Sequence, residues 1–286
     1  MTGRFAGRRA LVTGASRGIG AAIAERLAAE GADVAIVART LDQHDHLAGS
    51  LRETQARAAR HGTTVAVVVA DLADEVDRAR IVPEALAALG GPVDILVNNA
   101  AAAMYDAVAA MPLKRRRILF EVDVHAPLDL AQAVVPAMVA AGEGWTVNLT
   151  SGAARPWPGP PFELGAQGST TTVYGAAKAA LARITNGLGA ELHGTGVRVN
   201  AVQPRAAVLS EGAAALVGAT LRADQVESVE AMVEAVTALC CCPADVTGST
   251  FVSLDLLDAW DLPVHALDGS PLTGTVLSDA VLSEET

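Results

Sequence analysis

Tyr174 and Lys178 are the residues of this 286-residue chain whose types and spacing speak first of chemistry. They stand four apart in Tyr174-Gly175-Ala176-Ala177-Lys178, inside an Ala-rich stretch, Val173–Leu192, that reads as a helix. On a helix that spacing puts both side chains on one face. A free tyrosine, with a pKa near ~10, exchanges protons poorly at neutral pH. An ammonium beside it stabilises the phenolate, which turns the pair into a usable proton donor and acceptor. Tyr174 is one of only two tyrosines in the chain.

A second group is Thr13-Gly14-Ala15-Ser16-Arg17-Gly18-Ile19-Gly20, set between an apolar run, Arg9–Thr13, and a helical stretch, Ile19–Glu30. Glycines there let the backbone turn tightly. They also let a pyrophosphate approach the helix N-terminus, where free N–H groups and the dipole favour an anion. A glycine-rich turn is weak by itself; the strand before it and the helix after it supply the context the chemistry requires.

These groups need a scaffold to bring them together. Strand-like runs at Arg9–Thr13, Asp33–Ala38, Thr64–Ala70, Asp94–Asn98, Trp145–Thr150, Val197–Val202 and Thr250–Ser253 alternate with helical segments such as Ile19–Glu30, Val76–Leu89, Arg117–Ala140 and Val173–Leu192. The alternation predicts an α/β fold: one doubly wound, Rossmann-like domain with a seven-stranded parallel sheet and helices on both faces. With 51% hydrophobic but only 3% aromatic residues, the core must be built from Ala, Val, Leu and Ile, which suits strands buried on both sides. Residues 1–254 are read as the domain. The tail, 255–286, lacks clear periodicity and either packs on the domain or stays partly disordered. Arg155–Thr172, rich in Pro and Gly, reads as a long loop of the kind that often carries function.

The formal net charge of −11 argues against nucleic-acid or anionic-membrane partners. Lys114-Arg115-Arg116-Arg117 is the local exception and reads as a solvated helix opening. Cys240, Cys241 and Cys242 are adjacent, which suits neither disulfides nor metal spacing. His44 and His46 read as part of a polar helix start, so no metal is expected. Met1 leads almost directly into a strand, which leaves no room for a signal peptide. No apolar run approaches the ~18 residues of a membrane span. A reducing, cytoplasmic setting is the expectation.

The turn spacing, G-x-x-x-G-x-G, resembles that of the short-chain dehydrogenase/reductase family, and the resemblance extends over most of the chain. Asn98-Asn99-Ala100 looks like the family's N-N-A-G segment, with Ala101 in the last place. Asp71-Leu72 matches the position bordering the adenine, Tyr174-x-x-x-Lys178 the catalytic helix, and Ser151 the catalytic serine after the fifth strand. Asn200-Ala201-Val202-Gln203-Pro204 is similar to the stretch under the nicotinamide. The resemblance implies a small-molecule carbonyl or alcohol substrate, hydride transfer and a homotetramer or homodimer built on the fourth and fifth helices. Cofactor contacts would come from Gly14, Ser16, Arg17, Gly18, Ile19, Gly20, Arg39, Asp71, Leu72, Asn98, Ala100, Tyr174, Lys178 and Pro204. Ser151 would hold the substrate oxygen near Tyr174, and Lys178 would also bind the nicotinamide ribose. After the second strand, Arg39 stands where an acid would select NAD, and Arg17 can converge with it on a 2′-phosphate; NADP(H) is therefore expected.

The chain also departs from the pattern. Asp123 occupies the fourth catalytic position, normally Asn; an ionised carboxylate only accepts hydrogen bonds. Either it keeps the family's relay water or the site is rewired around a charge. Arg205 replaces the glycine after the proline, and Ser210 is the nearest substitute for the threonine that follows. The segment from Ser151 to Tyr174 is longer than usual, which makes Trp157 and Phe162 candidates for the substrate pocket or for mere surface decoration. Two alternatives stay open: an epimerase or dehydratase on the same scaffold, and a catalytically weak NADP-binding regulator.

Overall fold

The computed structural model describes residues 3–43, 48–162, 164, 168–208 and 226–272. Seven strands form one parallel sheet: β1 (Arg9–Thr13), β2 (Asp33–Ala38), β3 (Val65–Val69), β4 (Ile95–Asn98), β5 (Gly144–Leu149), β6 (Val197–Gln203) and, at the far edge, β9 (Thr250–Val252). Their order is β3-β2-β1-β4-β5-β6-β9, so the chain reverses its direction of travel between β1 and β4. Ligands of open α/β sheets bind beyond the carboxyl ends of the strands at such a reversal. A two-stranded ribbon, β7 (Ala207–Val208) with β8 (Val226–Glu227), lies outside the main sheet and has no counterpart in the sequence reading.

The central strands contribute to two apolar layers, because successive side chains point to opposite faces. Val12, Ile36 and Val97 join the layer under α1 (Gly18–Ala29), α2 (Leu51–Ala58) and a later helix, α7 (Val229–Leu239). Leu11, Ala35 and Leu96 join the layer under α3 (Glu75–Leu89) and α5 (Ala126–Ala141). The expected doubly wound sheet, seven strands with helices on both faces, is therefore the observed one. The tail opens with a helix, α8 (Ser253–Ala259), that spans the expected boundary at 254; Leu256 and Leu257 are buried in the first layer.

Two details correct the sequence reading. The fourth helix, α4 (Leu113–Phe120), starts at Leu113 rather than Arg117, and a π-helical turn, Glu121–His125, joins it to α5. The continuous helix Leu113–Ala141 has mean hydropathy 1.3 over its most apolar window, so by length and composition it is apolar enough to cross a bilayer. The expectation that no stretch would reach that threshold does not hold. Here the helix packs on the sheet: Leu130, Ala131, Val134 and Met138 are buried in the second layer, and Asp129 pairs with Arg78 at 2.7 Å. His44, His46 and Ser210 lie outside the described residues.

Candidate active site

The glycine turn and the N-N-A segment interlock. Thr13 Oγ1 accepts from the backbone N–H of Asn99 and of Ala100, each at 3.1 Å. The Asn99 amide donates to the carbonyls of Thr13 and Gly14 at 2.8 and 3.3 Å. A Cβ at Gly14 would come within 2.8 Å of Ala100 Cα, and one at Gly20 within 2.4 Å of Gly14 O. Gly14 and Gly18 also adopt positive φ, +67° and +54°, which side chains disfavour. Glycine is needed here by close packing and by backbone angle together. Asn98 continues the brace by donating to Asn148 at 2.8 Å, and Asn148 donates to Thr185 at 2.9 Å.

The N-terminus of α1 is left open. Arg17, its N-cap residue, makes no side-chain cap, and the first turn carries no acid. By contrast α3 is capped twice by Asp74, through Val76 N and Asp77 N, and α7 by Ser228. An uncapped, acid-free terminus beside a glycine turn has the donor set that a pyrophosphate requires. Arg39, at the end of β2, is 70% exposed and stands 3.9 Å from the Asp71 carboxylate. Leu72 is buried, and its carbonyl accepts from Arg78 at 2.9 Å. The Arg17 guanidinium donates to Gly49 O at 3.2 Å. The chemistry of these residues fits a nicotinamide dinucleotide.

Ser151, Tyr174, Lys178 and Asp123 converge beyond β5. Ser151 caps a short 3₁₀ turn, Gly152–Ala154. Tyr174 and Lys178 lie on α6 (Thr172–Glu191), and Asp123 comes from the π turn. A π turn inserts an extra residue into a helix and re-aims its side chains; Asp123 is thereby fully buried. Lys178 Nζ donates to Leu149 O at 3.0 Å and pairs with Asp123 Oδ1 at 3.0 Å, with Lys178 only 2% exposed. The pair is ionic rather than well directed, and Asp123 Oδ1 keeps an acceptor without a hydrogen-bond donor. The other oxygen accepts from Ala102 N at 3.3 Å. Burial pulls the Lys178 ammonium down, but Asp123 and Tyr174 together outweigh it and the net shift is upward.

Tyr174 lies with its ring centroid 5.9 Å from Lys178 Nζ. Burial raises its pKa, Lys178 lowers it, Asp123 raises it and a hydrogen bond with Ser151 lowers it; the net shift is upward. Tyr105 packs edge-on against it, with centroids 5.5 Å apart. Burial, then Tyr174 and Asp123, push the Tyr105 phenol up to about 12. Sequence reasoning missed Tyr105, although it is the only other tyrosine and follows the N-N-A segment closely. It also missed Glu227, a buried carboxylate that accepts from Arg205 N at 2.8 Å, Ala206 N at 3.2 Å and Ser253 Oγ. That contact fixes the backbone just after Pro204. The Arg205 guanidinium pairs with Asp255 and Asp258 of α8. Trp157 is half-buried and Phe162 is 63% exposed; neither joins the apolar cluster of Ala103, Met104, Tyr105 and Ala153 around Tyr174.

Comparison with known proteins decides the family. The short chain dehydrogenase family model matches residues 8–217. The chain belongs to the short-chain dehydrogenase family. It is 30% identical over 276 residues to hydroxysteroid dehydrogenase-like protein 2 of Danio rerio, covering 95% of this chain and 64% of that protein. It is 36% identical over 214 residues to L-xylulose reductase of Bos taurus, covering 74% and 77%. The chain spans half to just under two thirds of the length of the hydroxysteroid dehydrogenase-like relatives it matches first. Among solved structures, the NADP-bound 3-oxoacyl (acyl-carrier-protein) reductase of Agrobacterium tumefaciens superposes with a TM-score of 0.73 at 29% identity, covering 87% of this short-chain dehydrogenase and 93% of that chain.

Proposed function

We propose that this chain is an NADP(H)-dependent oxidoreductase that interconverts a carbonyl and an alcohol on a small-molecule substrate, with Tyr174 as general acid and base. The observation that carries the reading is the convergence of Ser151, Tyr174 and Lys178 at the carboxyl edge of the sheet, beside a glycine turn whose helix terminus is uncapped. The bound nicotinamide would supply or accept the hydride. The Ser151 hydroxyl donates to the substrate oxygen and stabilises charge there. The Tyr174 hydroxyl delivers a proton to that oxygen in reduction and takes it back in oxidation. Lys178, anchored on Leu149 O, directs its charge at the phenol and holds the ribose. Gly14, Ser16, Gly18, Ile19 and Gly20 cradle the pyrophosphate, Asp71 and Leu72 border the adenine, and Asn98, Ala100 and Pro204 line the nicotinamide side.

Turnover of NADPH with a panel of aldehydes and ketones tests the reading. Tyr174→Phe should lower turnover by about 10²–10⁴-fold while leaving cofactor affinity close to native. Substantial turnover in that variant defeats the assignment of Tyr174.

Arg39 supports NADP(H) over NAD(H), because it is exposed and its nearest acid, Asp71, is 3.9 Å away. A charge-assisted hydrogen bond to a 2′-phosphate contributes roughly 1.5–3 kcal/mol, or about ten- to a hundredfold in affinity. Dissociation constants for both cofactors at one salt concentration check this, with Arg39→Asp expected to erase or invert the preference.

We further take residues 1–254 as the catalytic unit with the following segment packed on it, and the protein as a cytoplasmic homodimer or homotetramer. The long helix Leu113–Ala141 supports assembly: only 33% of its most apolar window is buried within one chain. Light scattering at micromolar concentration tests it, and a monomer alone overturns it.

A further inference from the structure

Two opposite charges, and not one, face the phenol of Tyr174. Lys178 lies on the same helix, and Asp123 reaches the ammonium from the π turn at 3.0 Å. Among the described residues, the remaining neighbours are uncharged at neutral pH: Tyr105 from the segment after β4, and the Ser151 hydroxyl after β5. Asp123 and Lys178 are 0% and 2% exposed, so bulk water screens both charges less than it would at the surface. An amide at position 123 would leave the ammonium uncompensated. The carboxylate makes the pair neutral.

We propose that Asp123 is a positioning residue that acts through Lys178: it offsets much of the ammonium's field at Tyr174 and keeps that phenol a proton donor through and above the neutral range. The proposal rests on the assignment of Tyr174 as the acid and base. The upward net direction at Tyr174 accords with it, since burial and Asp123 together outweigh Lys178 and Ser151. One ionisation then limits both directions of the reaction. Oxidation rises with pH until Tyr174 is deprotonated, and reduction holds level until the same point and falls beyond it. Compensation by Asp123 moves that point to alkaline pH.

The test is a tyrosinate absorbance titration of the unliganded protein in a Tyr105→Phe background, where Tyr174 is the only tyrosine left. Asp123→Asn should lower the midpoint by about one pH unit or more, as an uncompensated cation nearby does. In the enzyme with cofactor, the bend in the pH profile should move down by the same amount. Lys178→Met should raise the midpoint instead. The double variant Lys178→Met/Asp123→Asn, which removes both charges, should titrate close to the parent. A parent midpoint well below that of the double variant, or an unmoved midpoint in Asp123→Asn, overturns the proposal. The double variant leaves no unpaired charge buried, so it serves if Asp123→Asn fails to fold. Because the titration needs neither cofactor nor substrate, loss of the hydride-transfer reading would appear in the activity assays alone.

Discussion

Two of the buried ionic clusters among the described residues bond in opposite ways. On the side of α1 and α7, Arg26 and Glu234 are each 1% exposed and pair at 2.8 Å. Arg26 also pairs with Glu30 at 2.5 Å, and Arg4 bonds to both Glu30 and Glu234. His265 Nδ1 lies 3.0 Å from Glu234, and Arg26 reaches the carbonyl of Ala266 at 3.3 Å. Each of these arginines and glutamates meets at least two partners, and four segments distant in sequence are tied together. The second place holds Asp123 and Lys178 alone, with an acceptor on Asp123 left over and a phenol beside it. Saturated bonding makes a charge cluster a fastener. Sparse bonding next to a titratable hydroxyl leaves charge free to act on chemistry.

The contrast is best broken from the fastener side. Glu234→Ala removes one of the two carboxylates shared by Arg4 and Arg26, and breaking a buried pair typically costs about 3–5 kcal/mol. Denaturant melts should show that loss, while turnover per folded molecule stays near native; a large fall in turnover with stability intact would erase the distinction between the two clusters.

A smaller effect sharpens it through pH. Burial raises the Glu234 carboxyl, but the Arg26 charge and hydrogen bonds from Arg26 and His265, then Arg4, lower it further than burial raises it. Folding therefore favours the ionised form. The stability it contributes is fully present above the ordinary glutamate value of 4.5 and is lost as pH falls through the depressed folded value. Melting temperature of the native chain should drop across that acid window, and Glu234→Gln should flatten part of the drop. Equal slopes in both proteins would refute the linkage.

The smallest expected change lies at the rim. His265 is 27% exposed, and His265→Ala leaves both arginines on Glu234. Removing one hydrogen bond of this kind costs about 0.5–1.5 kcal/mol. A loss in denaturant melts as large as that of Glu234→Ala would mean that the segment around His265, rather than the arginines, holds the cluster together.

Both the legible and the illegible parts of this protein have identifiable causes. The alternation of apolar runs and Ala-rich helices, the glycine turn and the Tyr174–Lys178 spacing could all be read from the chain, because each depends on residues within a few positions of one another. Period-2 and period-3.6 patterns and an i, i+4 pair are local facts. Even the departures at Asp123 and Arg205 were visible as identities. Their surroundings were not: a π turn buries the Asp123 carboxylate 3.0 Å from Lys178, and a π turn has no local sequence signature here. Arg205 proved to engage α8 through Asp255 and Asp258, some fifty positions on. Tyr105, Glu227 and the Arg4–Arg26–Glu30–Glu234–His265 cluster were likewise silent, since each acquires its role only from partners remote in the chain. Sequence by itself determined the scaffold and the placing of Tyr174 and Lys178 on one helix face. Tertiary structure decided which charges stand against which, because Coulomb energies depend on distance and burial, and neither is encoded by neighbours along the backbone.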